Sequence, residues 1–381
     1  MEFDYTEEQL ALQDTLQRFI LRDYDFDKRK AILKSELGFS AEAWKQYAEL
    51  GLLALPFPED VGGLGGSAVD VMLVMEQFGS GLLMEPYLSS VVLSGGLLRD
   101  AASKELQQKL LPEISAGSAK VALACYEAQG RYDLSHVACA ATQKGGGWQL
   151  SGQKTVVLDG PSADFFLVTA RSSGKTSDAA GVSLFLVPRD AQGLTVIGYP
   201  TQIGARAADL KLDNVMVGGD ALIGPSGAAL AVVQRTIDRG IAALCAEAVG
   251  VMNALNKATL EYLKTRKQFG VAIGTFQALK HRMADMLIAA EQSRSMAVIA
   301  AVNADSDDAA ERQRAIAAAK AYIGQAGRLV GQQAVQLHGG MGVVDEHIVS
   351  HYFKRLTMID LTFGDADYHL GRFSDMLRPA S

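Results

Sequence analysis

The apolar residues of the first 119 positions recur at helical spacing. Each of four segments places them on one helix face: EEQLALQDTLQRFI (7–20), SAEAWKQYAELGLL (40–53), SAVDVMLVMEQFG (67–79) and SKELQQKLLPEIS (103–115). Ser40 and Ser103 open two of these segments, in the position where serine caps a helix. This pattern predicts an N-terminal helical domain over residues 1–119.

The pattern changes to short segments, many of them alternating, between residues 120 and 222. Glycine-containing turns separate VALACY, HVACAAT, WQLSGQKTVVL, DFFLVTA, VSLFLV, LTVIG and ADLKLDNVMV. Such segments at close spacing are typical of strands in a compact sheet or barrel without helical crossovers. We therefore expect a middle β-barrel-like domain over residues 120–222.

Helical spacing then returns in four long runs, at roughly 226–264, 275–303, 308–337 and 345–377. Long runs joined by short connections favour an antiparallel four-helix bundle, predicted here over residues 223–381. The expected fold class is therefore α+β and multidomain, with helices before and after a β-domain.

Composition narrows the classes of partner. The chain has 381 residues, and its formal net charge of −7 argues against nucleic-acid binding, which needs a basic face. No apolar run approaches the roughly 20 residues that a membrane helix needs, and MEFDYTEEQL lacks the pattern of a signal peptide. Scattered cysteines at Cys125, Cys139 and Cys245 are typical of a reducing compartment and indicate no metal site. We therefore expect a cytoplasmic protein with no membrane or nucleic-acid partner.

Two glycine-containing motifs interrupt the C-terminal helices. The first motif is RKQFGVAIGTFQ (Arg266–Gln277) and the second is QLHGGMG (Gln336–Gly342). Either one can be a turn between helices, since glycine is the usual residue just after a helix end. Adjacent glycines can also admit a ligand close to the backbone. Taken alone, the second motif favours the turn.

Taken together on a chain of helices, strands and helices, these motifs resemble the acyl-CoA dehydrogenase family. The resemblance begins at YTEEQLALQDTLQRF, continues through LGLLALPFPEDVGGLGG and ends in the C-terminal bundle. More narrowly, RYDLSHVA, YPTQIGARAADL, IAALCAEAVG and HYFKRLTMIDLTFGDADYHL resemble the small subunits of pimeloyl-CoA-type dehydrogenases. The family resemblance implies FAD-dependent oxidation of an acyl-CoA to a trans-2-enoyl-CoA, within a dimer or a dimer of dimers. It also implies an electron-transferring flavoprotein or a similar acceptor.

The resemblance further implies which residues contact the cofactor. In the family, the two motifs bind the adenosine and pyrophosphate end of an FAD held by a neighbouring subunit. The matching positions here are Arg266, Phe269, Gln277, Gln336, Gly339 and Gly340. A guanidinium can bind phosphate through two hydrogen bonds, a phenyl ring packs on an aromatic ring, and glycine leaves room for the cofactor.

The strands that face the flavin ring in the family differ here. Where the family has Thr-Glu-Pro-x-x-Gly-Ser-Asp, this chain has YEAQGRYD, which keeps only Glu127 and Asp133. Where the family has Trp-x-Thr on the next strand, GQKTVVLDG has Val156 and Leu158. Tyr126 is the candidate substitute for the missing aromatic ring. We therefore expect Tyr126, Val156 and Leu158 to form the flavin-facing surface.

The catalytic base that the resemblance implies is also altered. The reaction needs a carboxylate whose pKa is raised by burial near the substrate α-carbon. The family's usual glutamate position is Phe363, and its second location is Gly240. Glu247 is the only charged residue in IAALCAEAVGVMNAL and lies two helical turns from Gly240, hence on nearly the same face. It is either the base or one half of an ion pair with another helix, and Asp365 is the reserve candidate.

These observations support two hypotheses of different kinds. The first is an acyl-CoA dehydrogenase that carries out the whole reaction. The second is a low-activity partner subunit that completes the FAD site of a different catalytic subunit, here called the sister chain. The altered flavin-facing strands and missing glutamates motivate the second. The histidines, including His347 and His351, show no metal-ligand spacing. These two histidines, Lys354 and Arg355 are expected at the surface or at an interface.

Overall fold

The computed structural model describes residues 5–378, so residues 1–4 and 379–381 of the outer predicted domains lie outside it. Its N-terminal part is helical, as predicted. The helices are α1 (Glu7–Asp23), α2 (Phe26–Lys34), α3 (Ala41–Glu49), α4 (Ala68–Gly81), a π-helix (Tyr87–Gly95), α5 (Gly96–Ala101) and α6 (Lys104–Ser115). Ser40 and Ser103 cap α3 and α6 through their side chains, as predicted. The helical pattern did not predict α2, the π-helix or α5.

The middle part is rich in strands, as predicted. The strands are β1 (Val121–Ala124), β2 (Ala140–Lys144), β3 (Gly147–Leu158), β4 (Phe165–Arg171), β5 (Val182–Pro188), β6 (Leu194–Pro200), β7 (Arg206–Val217) and β8 (Leu222–Ile223). They form one sheet of order β6-β7-β3-β2-β4-β5-β8, and β1 pairs with β4 in parallel. Leu150, Phe166, Phe185 and Val215 are among the fully buried side chains of its core.

The C-terminal part is again helical. It contains α7 (Leu230–Thr265), the short strands β9 (Lys267–Gln268) and β10 (Val271–Ala272), α8 (Gln277–Ala304), α9 (Ala309–His338), α10 (Ile348–Leu361) and α11 (Ala366–Leu377). Short 3-10 turns complete the chain: Leu52–Ala54, Glu59–Val61, Gly160–Ser162, Gly219–Ala221, Ile273–Thr275 and Gly339–Val343. None of the described helices is long and apolar enough to span a membrane.

One predicted helix is two helices. The run expected at 345–377 breaks between α10 and α11, where Phe363 and Gly364 have φ angles of 61° and 107°. These left-handed conformations cannot continue a right-handed helix. Asp365 then caps α11, because its carboxylate accepts a hydrogen bond from the amide of Tyr368 at 2.9 Å.

A buried lysine stabilises this break. The Lys320 ammonium donates hydrogen bonds to the carbonyl oxygens of Ile359, Asp360 and Gly364 at 2.7–2.8 Å. All three ammonium hydrogens therefore have an acceptor, and two of these carbonyls belong to the end of α10. The side chain is fully buried, and burial lowers its pKa to about 8.

The chain forms two compact units. The first combines the segment ending at Ala31, Ser67–Leu83 and the segment beginning at Ile241. The second combines Ile32–Gly66 and Met84–Gly240. These units group residues by packing, whereas the predicted boundaries after residues 119 and 222 follow the type of element. Those boundaries stay predictions.

Within the first unit, α4 and α7 touch through their backbones. A Cβ atom placed on Gly250 would lie 1.8 Å from the carbonyl oxygen of Glu76. A Cβ on Gly79 would lie 2.1 Å from the carbonyl oxygen of Glu247. Only glycine permits this approach, so the two glycines fix how closely α7 lies against α4.

This contact generates a stability prediction. Gly250→Ala should lower the free energy of unfolding by about 1–3 kcal/mol, because the two helices must separate to admit the methyl group. Gly371→Ala is the matched control, since Gly371 lies in α11 with no atom near the added Cβ. Because alanine has a higher helix propensity than glycine, Gly371→Ala should stabilise the protein by about 0.5–1 kcal/mol. Urea unfolding of both variants measures the difference, and equal midpoints would contradict the contact.

Candidate cofactor and catalytic sites

The first glycine motif forms a tight hairpin after α7. Gln268 of β9 pairs with Val271 of β10, and the turn between them is Phe269-Gly270. Phe269 has a φ of 52° and Gly270 a φ of 80°. The amide of Ile273 donates to the carbonyl of Arg266 at 2.9 Å and closes the hairpin. The aromatic residue and the glycine therefore form the tip.

This hairpin exposes aromatic and cationic groups. The Phe269 side chain is 90% exposed, and its ring meets Phe276 edge to face at a centroid distance of 6.1 Å. Arg266 is also exposed, and its guanidinium forms no hydrogen bond or ion pair within residues 5–378. Phe269, Val271 and Phe276 are all exposed apolar side chains in this motif, and such a cluster indicates a binding surface.

The second glycine motif presents open backbone. α9 ends at His338, and Gly339 follows with a φ of 59°. A Cβ atom on Gly339 or Gly340 would meet no atom within 4 Å. Gln277, at the start of α8, and Gln336, near the end of α9, are exposed as well. The backbone of this motif is therefore accessible to a ligand.

A ring contact joins the two motifs. Tyr262 of α7 stacks on His338 with a centroid distance of 4.4 Å and an interplanar angle of 27°. The Tyr262 hydroxyl also donates a hydrogen bond to the His338 carbonyl at 3.4 Å. The ends of α7 and α9, which carry the two motifs, are thereby held together within the first unit.

A buried ion pair joins Glu127 and Lys154, in the first segment that is expected to face the flavin. The Glu127 carboxylate accepts hydrogen bonds from the Lys154 ammonium at 2.7 Å and from the amides of Ala138 and Cys139 at 2.8 and 3.0 Å. Lys154 also donates to the Thr169 hydroxyl at 3.0 Å. Burial acts to raise the pKa of Glu127, but Lys154 and the amides outweigh it and hold that pKa below its usual value. Glu127 thus stabilises the turn before β2 through its hydrogen bonds with the amides of Ala138 and Cys139.

Val156 occupies an unusual backbone position. Its φ of 53° is left-handed, which is rare for a β-branched residue, and the β3–β7 register shifts between Lys154 and Val157. Its amide donates to the Asp209 carboxylate at 3.2 Å, while its side chain remains 55% exposed. Tyr126 and Leu158 are half-buried. The strand therefore presents aliphatic carbon at the position where the resemblance implies an aromatic ring.

Glu247 forms an ion pair. Its side chain is almost fully buried, and its two carboxylate oxygens accept hydrogen bonds from Nε and Nη2 of Arg355 on α10. This bidentate geometry neutralises the carboxylate and occupies both oxygens. It is the pairing that the sequence leaves open as the alternative to a catalytic base.

The expectation that His351 lies at the surface or at an interface is wrong, because this histidine is buried within the chain. His351 is 4% exposed and its Nδ1 lies 2.8 Å from the buried Arg29 guanidinium. Arg355 is mostly buried against Glu247. Arg355 lies three residues after apolar Tyr352 and so on the same helix face, a spacing that favours burial of Arg355. The other base candidate, Asp365, caps α11, and no cluster of metal ligands occurs in the described part of the chain.

The Glu127–Lys154 pair generates a pH-dependent prediction. Lys154→Met leaves a buried carboxylate without its cation, so the free energy of unfolding at about pH 7 should fall by about 3–5 kcal/mol. The folded pKa of Glu127 is lowered, so the stabilisation of the pair is complete above the unfolded pKa of 4.5 and is lost as the pH falls through the lower folded value. The deficit of the variant should therefore shrink as the pH falls below 4.5, and it should be smaller at about pH 3.5 than at about pH 7.

Urea unfolding at the two pH values measures this deficit. The double variant E127Q/K154M is the control, because it removes the buried charge and should recover part of the lost stability at about pH 7. A deficit that is equal at both pH values would contradict the prediction.

Three family models match successive parts of the chain. Residues 6–118 match the acyl-CoA dehydrogenase N-terminal domain, residues 122–215 its middle domain and residues 228–376 its C-terminal domain. Acyl-CoA dehydrogenase FadE27 of Mycobacterium tuberculosis is 30% identical over 357 residues, which are 91% of this chain and 90% of that protein.

Solved structures agree with this match. A chain of the ChsE4-ChsE5 complex from M. tuberculosis is 28% identical, with a TM-score of 0.89 and full coverage of both chains. The FAD complex of PigA is 26% identical, with a TM-score of 0.90 and 99% coverage of each chain. This chain belongs to the acyl-CoA dehydrogenase family.

Proposed function

We propose that this chain is a subunit of an FAD-dependent acyl-CoA dehydrogenase and completes the FAD site of a sister chain. The observation that carries the proposal is the pair of glycine motifs, which the Tyr262–His338 contact holds together. Their exposed Arg266 and Phe269 and their open glycines suit the adenosine and pyrophosphate end of the cofactor. A guanidinium can bind the diphosphate through two hydrogen bonds, and the phenyl ring can pack on adenine.

The assembly would oxidise an acyl-CoA to a trans-2-enoyl-CoA. Bound FAD supplies the hydride acceptor of this chemistry, and an electron-transferring flavoprotein or a similar protein would take the electrons. A dimer of dimers brings each pair of motifs to a neighbouring subunit. The three cysteines are free, buried thiols, which supports a cytoplasmic location.

Three features of this chain and one solved structure favour the partner-subunit role over independent catalysis. Val156 offers the flavin an aliphatic side chain in place of a ring, and Glu247 is neutralised by Arg355. Phe363, at the family's glutamate position, has no acid–base group. The ChsE4-ChsE5 structure contains a chain that is similar to this protein over its full length, and it is a complex of ChsE4 with ChsE5. We therefore favour a sister chain as the source of the catalytic base.

The second candidate is a dehydrogenase that acts without a sister chain and uses Glu247 as its base. Its support is the burial of Glu247 among apolar residues of α7, since water exclusion favours the proton transfer that the reaction needs. This candidate requires Arg355 to release the carboxylate when substrate binds. Tyr126 would then be the aromatic residue on the flavin-facing side.

Flavin absorbance tests the first proposal. The purified chain alone should show no flavin bands near about 370 and 450 nm and no reaction with an acyl-CoA, whereas the complex with a co-expressed sister chain should be yellow and bleached by substrate. Arg266→Ala should weaken FAD binding to that complex by about 10–100-fold, because a charge-assisted contact to phosphate is lost. Lys264→Ala is the matched control, since Lys264 is exposed, lies two residues before Arg266 and pairs with Glu261. A yellow, substrate-bleached single chain would overturn the partner-subunit role.

Glu247→Gln separates the two candidates. If Glu247 is the base, the variant keeps FAD but is no longer bleached by an acyl-CoA. In the partner-subunit role, which we expect, bleaching of the complex is unchanged. The free energy of unfolding then falls by about 1–3 kcal/mol, because Arg355 loses its charged partner. The control E247L/R355L removes both charges and should recover part of that stability.

A further inference from the structure

We infer that Tyr262, His338 and His347 form an aromatic stack that positions the two glycine motifs for a cofactor, an inference that rests on the proposed function. The three residues come from three elements of the first unit. Tyr262 lies in the last turns of α7, His338 is the last residue of α9, and His347 is the N-cap of α10. We call them the Tyr262–His338–His347 stack.

His338 is the centre of this stack. Tyr262 lies nearly parallel to it at 4.4 Å, and His347 meets it edge to face at 5.1 Å and 60°. His338 is 3% exposed, so it is packed between the other two rings and the turn that follows it. Aromatic pairs prefer these two geometries.

One turn at the end of α7 connects the stack to the first motif. Tyr262 precedes Arg266 by four residues, and the amide of Arg266 donates to the Tyr262 carbonyl at 2.8 Å. The Thr265 hydroxyl donates to the same carbonyl at 3.3 Å. The position of the Tyr262 backbone therefore determines where α7 ends and where the Arg266 side chain begins.

The stack reaches the second motif directly. Gly339 follows His338, and the Tyr262 hydroxyl holds the carbonyl that joins these two residues. Gly339 and Gly340 have no side chains to anchor their turn, and open space surrounds them. A Cβ on Gly342 would lie 3.2 Å from the His338 Cβ, so the turn folds back over this histidine. His338 is thus the nearest side chain to Gly342, beside the backbone of Val335.

Hydrogen bonding indicates that His338 is neutral. Its Nδ1 lies 2.8 Å from the Ala334 carbonyl, an acceptor, so Nδ1 carries the hydrogen. Its Nε2 is buried and has no hydrogen-bond partner among the described residues. Burial, assisted by the charge of His347, lowers the pKa of His338. A proton added at Nε2 would find no acceptor, so the ring remains an uncharged stacking partner.

Ring removal separates positioning from general packing. Tyr262→Leu removes the ring, whereas Tyr262→Phe keeps the ring and removes only the hydroxyl. Tyr322→Leu is the matched control, since Tyr322 is a partly buried tyrosine of α9 outside both motifs. If the stack positions the motifs, Tyr262→Phe should rescue what Tyr262→Leu loses.

The experiment titrates FAD, by quenching of its fluorescence, into the complex of this chain with its sister chain. Tyr262→Leu should weaken FAD binding about 3–10-fold, within the range expected for loss of an aromatic pair, while Tyr262→Phe should stay within about twofold. Hydrogen–deuterium exchange of the Gly339–Val343 amides should rise in Tyr262→Leu only. Tyr322→Leu should change neither measurement.

Arg266→Ala, measured in parallel, distinguishes failure of this inference from failure of the proposed function. Unchanged FAD affinity in Tyr262→Leu, with weakened binding in Arg266→Ala, would overturn the stack and leave the proposed function standing. Equal losses in Tyr262→Leu and Tyr322→Leu would also overturn the stack. If Arg266→Ala binds FAD normally, the proposed function fails. In that case, hydrogen–deuterium exchange still tests the stack, and unchanged exchange at Gly339–Val343 in Tyr262→Leu would overturn it.

Discussion

A charge removed from water must be neutralised or fully hydrogen-bonded, and this requirement shapes the interior of both compact units. In the first unit, Arg355 neutralises Glu247, and three carbonyl oxygens surround the Lys320 ammonium. In the second unit, Lys154 and two amides satisfy Glu127. Each buried charge fixes a helix end, a helix pair or a turn, so the backbone around it has little freedom to move.

The same requirement explains the proposed division of function. A catalytic carboxylate must be buried and still free to take a proton, which is the opposite of a carboxylate held by two guanidinium hydrogen bonds. Glu247 therefore has the burial that a base needs but not the freedom. The glycine motifs are different, because their groups are exposed and uncommitted. An exposed guanidinium, an exposed phenyl ring and two open glycines can bind a cofactor without losing an internal contact.

The spacing of apolar residues predicts helices and strands well where that spacing is regular. The predicted segments near α1, α3, α4 and α6 are helical, and the middle region is a sheet. α2 was missed because FDKRKAILK is mostly charged and has no clear apolar face. The predicted last helix is divided because Phe363 and Gly364 adopt left-handed conformations, and His369 and Lys320 donate hydrogen bonds to their carbonyl oxygens.

The sequence by itself determined the order of helices and strands, the family, and the residues that match its cofactor motifs. These follow from periodicity and from short motifs, which are local properties of the chain. Only the tertiary structure decided the partner of Glu247, the burial of His351 and the contact between Tyr262 and His338. Each of these depends on which side chains meet across helices separated by many residues. The packing of the helices determines these contacts, and the spacing of residues along the chain does not predict them.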